Sequence, residues 1–267
     1  MRRTRLPLLL VAVLAGAHAP AFAGQPLETE TARLAPRGTL AAEFGMERQG
    51  SRDGSELAIP LAVEYSLLDR CELLVEPVAY SNIRDPHRSL ASGAGDLEVT
   101  AIALAAGEGR LLPALALAGE VKLPTARSHL IGSGQTDYTA YLVLSKRLSP
   151  WDLHANAGYT VIGQPPGVAT QNVYSFALAA ERRFGRFEAV GEVVGNTAAL
   201  AENQPTASGE SAMAPEIGSE ELLATLGGRY RLTEAAALTL GLSVDNNHAF
   251  QVHPGLTVRF LGAAARP

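Results

Sequence analysis

The feature that most constrains this chain is a repeated alternation of apolar and small or polar residues. From Leu57 the odd positions read Leu57, Ile59, Leu61, Val63, Tyr65 and Leu67, while the even ones read Ala58, Pro60, Ala62, Glu64 and Ser66. A period of two belongs to strands with one apolar face. The runs 114–123, 151–163 and 235–245 repeat it. Twelve such segments follow one another: 39–48, 56–67, 71–81, 95–106, 111–123, 135–148, 151–163, 171–183, 186–196, 220–232, 236–246 and 252–261. Every second link is tight, as at Leu68-Asp69-Arg70, Ser149-Pro150 and Phe184-Gly185. The others are longer and polar: 49–55, 82–94, 124–134, 164–170, 197–219 and 247–251. Short turns at one end and long loops at the other predict an all-β fold, an antiparallel transmembrane β-barrel of about 12 strands, of the outer-membrane type.

Aromatic placement agrees. Tyr65, Trp151, Phe184, Phe187, Tyr230 and Phe260 lie near the short turns, each in the apolar phase of its segment. An interfacial girdle requires that. A second group, Phe44, Tyr138, Tyr159 and Tyr174, lies toward the long loops. A soluble β-sandwich also alternates, but it has no reason to gather outward aromatics at one end. The most apolar mature stretch, 99–121, is cut by Glu108, Gly109, Arg110 and Pro113 into pieces of strand length.

The N-terminus reads as a processing signal. Arg2, Arg3 and Arg5 precede an apolar run from Leu6 to Ala17, and Ala21-Phe22-Ala23 forms an A-x-A site. The expected organisation is a signal peptide over 1–23, an N-terminal periplasmic segment over 24–38, the barrel over 39–261 and a C-terminal tail over 262–267. The location implied is the bacterial outer membrane after cleavage near Ala23, with both termini of the barrel on the periplasmic side. The partners implied are outer-membrane lipid, small-molecule solutes and the barrel assembly machinery during biogenesis. Three of the 22 basic residues lie in the leader, which leaves 19 against 27 acidic ones. Such an anionic chain does not seek nucleic-acid phosphates. The single cysteine, Cys71, excludes an intrachain disulfide and a cysteine-based zinc cluster.

Four stretches resemble a family of outer-membrane transporters named for the meta-pathway of phenol degradation. They are Gly93-Ala94-Gly95-Asp96, Val121-Lys122-Leu123-Pro124-Thr125, the run 132–138 (GSGQTDY) and the run 151–159 (WDLHANAGY). The resemblance covers roughly 93–163 and implies passage of small, aromatic or hydrophobic compounds. It brings no catalytic or ligand residues. The glycines have a sufficient role as turn formers.

The polar phase should face the lumen. It carries Glu43, Glu64, Glu72, Glu76, Glu98, Glu120, Asp137, Glu181, Glu188, Glu192 and Asp245, against Lys122, Arg183, Arg229, Arg231 and Arg259. Such charges cannot face lipid, where a basic residue at midplane costs about 2–4 kcal/mol. Two readings stay open: a wet channel favouring cations or neutral solutes, or a salt-bridged network that holds the barrel in shape. Small residues of the same phase (Ala58, Ala62, Ala114, Ala116, Ala118, Ala177, Ala179 and Gly241) leave space inside.

Two other functions make demands on particular residues. A lipid hydrolase would need a serine, a histidine and an orienting group facing the outer leaflet. His154, with Ser145 and Ser175 on neighbouring segments, sits near a short turn, at the wrong end. The remaining mature histidines, His87, His129, His248 and His253, are scattered, which argues against a metal site. No cofactor is expected. The third function is a scaffold whose loops are displayed for recognition, the longest being 197–219.

Overall fold

The computed structural model describes residues 27–51, 54–86, 88–200, 220–246 and 248–260. The expected leader, its cleavage site, His87, most of the loop 197–219 and the tail 262–267 lie outside the described residues.

Among the described residues there are fourteen strands and no helix. They are β1 (Leu40–Gly45), β2 (Glu47–Gly50), β3 (Ser55–Leu68), β4 (Cys71–Arg84), β5 (Ser89–Gly93), β6 (Leu97–Ala106) and β7 (Ala114–Leu123). After these come β8 (Asp137–Leu148), β9 (Trp151–Val161), β10 (Val173–Phe184), β11 (Phe187–Asn196), β12 (Glu221–Arg231), β13 (Ala236–Asp245) and β14 (Phe250–Phe260). They build twelve antiparallel staves. β1 and β2 form one stave broken at Met46, since both pair with β3 on one side and β14 on the other. β5 and β6 form another, since both pair with β4. Pairing of Leu40 with Phe260 closes the ring, so no sheet edge is left open.

Several boundaries differ from the expected segments by a few residues, and two of the differences reshape a link. The third stave continues to Arg84, because 81–84 pair with 89–93 and shorten the expected loop 82–94. The turn between them is held by the Arg88 N–H donating to Asp85 Oδ1 at 2.8 Å. The fifth segment starts at Ala114 rather than 111: Leu111 and Leu112 belong to a turn in which the Gly109 N–H donates to the Leu112 carbonyl. The tight link Phe184–Phe187 needs a left-handed residue, and Gly185 supplies it at φ 63°.

The period-two phase is realised as two faces. Leu117 is 55% exposed, while its neighbours Ala116 and Ala118 are buried. Leu238, Leu240, Leu242 and Tyr230 are exposed beside buried Thr239, Ser243 and Arg229. All six aromatics near the short turns are exposed outward. Arg182 lies over the rings of Trp151 and Phe184 at 5.4 and 5.0 Å, so its charge sits at the girdle rather than in hydrocarbon. Tyr138, Tyr159 and Tyr174 form the opposite rim, but Phe44 lies in mid-stave, before the break at Met46. Leu240→Arg should therefore cost about 2–4 kcal/mol. Urea unfolding in vesicles would measure it; an unchanged midpoint would mean that this face does not meet lipid.

Candidate functional site

The chain before β1 enters the barrel. Residues 27–38, expected as a periplasmic segment, run inside the ring of strands from the short-turn end to mid-height. The entry turn is set by the Gly38 N–H on the Ser66 carbonyl at 2.8 Å and the Thr39 N–H on the Pro36 carbonyl at 3.0 Å. Beyond it the backbone forms neither strand nor helix, so its N–H and C=O groups need partners from outside the segment. Inward side chains of β4, β8, β9 and β11 supply them. The Ala35 N–H donates to Glu72 Oε2 at 3.2 Å and the Ala32 N–H to Ser145 Oγ at 2.9 Å. Asn156 takes the Glu30 N–H at 2.7 Å and donates to the Glu30 carbonyl at 3.1 Å. Glu192 accepts from the Glu28 N–H at 3.0 Å and the Thr29 hydroxyl at 2.8 Å.

The apolar core of the molecule is the contact between this plug and the wall. Ala32 is buried with Ile102, Ala114, Ala116, Ala118 and Val143, and Leu34 packs against them. Leu27 reaches Gly227 and Gly241 on the far side; a Cβ on Gly227 would meet it at 3.0 Å. Of the inward alanines, which the sequence reads as leaving space inside, Ala114, Ala116 and Ala118 make room for the chain itself, while Ala62 and Ala177 line open space above it.

At the short-turn mouth Arg33 bridges Glu108 and Asp152, both at 3.0 Å. Glu108 also accepts from the Arg147 N–H at 2.8 Å and pairs with Lys146 at 3.2 Å. Partial burial pushes its carboxyl up, but these hydrogen bonds, from Arg147, Arg33 and Lys146, outweigh that and hold it below the usual carboxylate range. A depressed pKa contributes stability above the unfolded value, lost only as pH falls through the folded one. The Arg33 anchor should thus survive acidification to about pH 4, the ordinary carboxylate pKa. The part of any acid-dependent opening that Arg33→Ala removes, read as the difference in current between the two proteins across a pH series, should appear only below that, and Glu108→Gln should abolish it. An Arg33-dependent transition near neutral pH would contradict this.

Above the plug lies a chamber of about 440 Å³. Glu43, Glu76, Glu98 and Glu120 of the predicted set line it, joined by Glu28, Glu30 and Glu47, which the sequence reading did not single out. Among the described lining residues there is no Lys or Arg. The hydrogen bonds to Glu120 come from hydroxyls, those of Thr100, Thr139 and Tyr141. Glu43 takes the Thr257 hydroxyl at 3.1 Å. His253 stands at the edge with Nε2 at 3.1 Å from Ser243 Oγ and Nδ1 at 3.9 Å from Glu47. Glu28, Glu47 and His253 bring one ligand atom each within 4.8 Å of one another, a set that could take a divalent cation.

The other predicted residues are distributed. Glu72 and Glu192 anchor the plug. Arg183, Glu188 and Arg229 form a cluster near the short turns, with both arginines on Glu188 at 2.9 Å. Glu64 lies against Glu72 and Arg259. Glu181 is 3.8 Å from His154. Arg231 caps the Gly185 carbonyl, and Asp245 accepts the Ala249 N–H in the last long loop. Lys122 and Asp137 are at the opposite rim, where Lys122 pairs with Asp137 and, at 3.8 Å, with Asp96. Asp96 accepts the Ala126 N–H and Asp137 the Gly163 N–H. A Cβ on Gly132 would meet Asp96 Oδ2 at 2.5 Å, so only glycine permits this approach. Three of the four family-like stretches thus form one knot that ties the long loops together.

Ser145 and His154 do touch, Oγ to Nδ1 at 2.8 Å. Both are buried, at 1% and 5% exposure, and Ser145 Oγ is also engaged by Thr31 and the Ala32 N–H. That geometry serves the plug.

A family model described as "Putative MetA-pathway of phenol degradation" matches residues 23–247. Among solved structures, the COG4313 outer membrane channel from Pseudomonas putida F1 superposes with a TM-score of 0.66 at 13% identity, over 86% of this chain and 98% of that one. The NanC porin superposes with a TM-score of 0.57 at 9% identity, over 81% and 98%. The KdgM porin in complex with disordered oligogalacturonate gives 0.54 at 10% identity, over 83% and 99%. No curated protein matches the sequence.

Proposed function

The chain belongs to the MetA-pathway phenol-degradation family, and from this premise we propose that it passes small solutes across the bacterial outer membrane without covalent chemistry. The observation that carries this is the chamber: about 440 Å³ of space inside a closed barrel, walled by carboxylates and floored by the chain's own N-terminal segment. Pockets that hold small molecules run from about 300 to 1,000 Å³. Solutes would enter from the long-loop side, drawn by the acidic field if cationic, and diffuse onward when the plug shifts. The plug can shift when water replaces its polar anchors and the small apolar contact around Ala32 and Leu34 is given up. The family's name and the apolar part of the wall favour solutes with aromatic or hydrophobic surface. Cleavage near Ala23 and insertion by the barrel assembly machinery complete the proposal.

Planar-bilayer recording with solute-swelling assays tests it. Glu98→Gln with Glu120→Gln should move the reversal potential toward that of an unselective pore. The wild-type preference for cations should shrink as salt rises, because screening shortens to about 3 Å at 1 M. The scaffold function is favoured by one observation, the filled lower lumen. It predicts silence both in the wild type and after plug removal.

A further inference from the structure

We infer that the chamber is a binding site for an organic ammonium ion: a cationic amine carrying an apolar body. This deepens the channel reading and rests on it.

The argument begins with where opposite charges meet in the sheet. Near the short turns Arg183 and Arg229 stand directly across from Glu188 on either side, and all three are bonded. At the chamber the register does the reverse. Glu76 of β4 stands directly opposite Glu98 of β6. Like charges in that relation destabilise a sheet. Glu98 has Lys122 as its other cross-strand neighbour, but that ammonium is drawn toward Asp137 and Asp96. Glu120 is served by hydroxyls alone among its described side-chain bonds. Lys122, Arg183 and Arg229 are engaged elsewhere, no Lys or Arg is among the described residues that line the chamber, and its wall carries an excess of carboxylates that an occupant could neutralise.

The form of the excess selects the occupant. Glu43, Glu47, Glu76, Glu98 and Glu120 come from four staves on one side of the ring and are spread along the wall, whereas a metal ion needs ligands that converge on a point. The wall also has apolar surface, from Pro60 and Val78 near the carboxylates and from Ala177 and Val194 on β10 and β11. An ammonium group offers several N–H donors to a spread of acceptors. Its carbon body would cover the apolar wall, and each methylene buried contributes about 0.8 kcal/mol.

The test is calorimetric titration of the whole protein in dodecyl maltoside with hexylammonium, methylammonium, hexanol, hexanoate and Ca²⁺. Hexylammonium should bind saturably, and methylammonium at least about tenfold more weakly for want of the apolar body. Hexanol and hexanoate should show no saturable binding. Raising salt should weaken hexylammonium binding. The Glu76→Gln, Glu98→Gln, Glu120→Gln triple variant should lose about tenfold or more in affinity. Equal binding of hexanoate or hexanol, or salt-independent binding by the wild type, would overturn the inference, and the salt series needs no variant to fold. Preference for Ca²⁺ over hexylammonium would also overturn it, in favour of a metal at Glu28, Glu47 and His253. Binding is read apart from passage. Saturable amine binding without conductance would sink the channel and leave the site; conductance without amine preference would do the reverse.

Discussion

Deleting residues 27–36, so that Pro26 joins Arg37, should raise single-channel conductance several-fold while the barrel still folds. The segment occupies the lower lumen and its backbone is satisfied by Glu72, Ser145, Asn156 and Glu192. The deletion removes the plug half of each bond, and in the lumen it opens those side chains would take water instead, so no buried orphan is left. The loss is the apolar contact of Ala32 and Leu34 with Ile102, Ala116 and Val143, worth a few kcal/mol at about 25 cal/mol per Å² buried. A closed ring of twelve staves can absorb that. Arg33→Ala should give a milder effect, brief openings rather than a steady current, because it frees only the anchor on Glu108 and Asp152. Bilayer recordings of the three proteins, with heat-modified gel mobility as the folding control, check the order. An unchanged current after the deletion would mean that the path does not pass the plug.

The outer half of this architecture was legible in the sequence because lipid imposes a strict rule. Leu117, Leu238, Leu240 and Leu242 must alternate with something else, and the links must alternate in length, so strand count and facing follow from pattern alone. The inner half obeys no such rule. Glu72, Glu98, Glu188 and Glu192 are equivalent in phase, yet they anchor the plug, line the chamber or hold two arginines, according to what stands opposite. Register across neighbouring staves decides that, and one strand's sequence does not contain it. The plug had a signal that period-two reasoning passes over. Ala114, Ala116 and Ala118 in line on one inner face imply a void, and the segment before residue 39, outside the strand pattern, is available to fill it. Ser145 and His154 show the same dependence on neighbours: a short hydrogen bond between a serine and a histidine has the form of a catalytic pair, but engagement by Thr31 and Ala32 gives it a structural use.

Register also reassigns Glu188, which by phase alone is one more acid attracting cations. Its carboxylate accepts from Arg183 Nη2 and Arg229 Nη1, both at 2.9 Å, across β10 and β12 respectively. Glu188 and Arg229 are 6% and 4% exposed, so the pair is dry, and breaking one partner of a buried pair costs about 3–5 kcal/mol. Both guanidiniums keep further interactions, which places Glu188→Ala toward the lower part of that range. The removed carboxylate also leaves two like charges facing each other across the single stave β11. Arg183→Ala should cost less, because its side chain is already 25% exposed and water can replace it. Unfolding by urea in vesicles should rank the variants with Glu188→Ala least stable, Glu188→Gln between, and Arg183→Ala nearest the wild type. The same Glu188→Gln protein should show little change in cation preference, since the charge it removes is already neutralised by its partners, whereas Glu120→Gln should change preference with little effect on stability. Finding the two phenotypes exchanged would place the selectivity site at the short-turn end and remove the chamber from the conduction path.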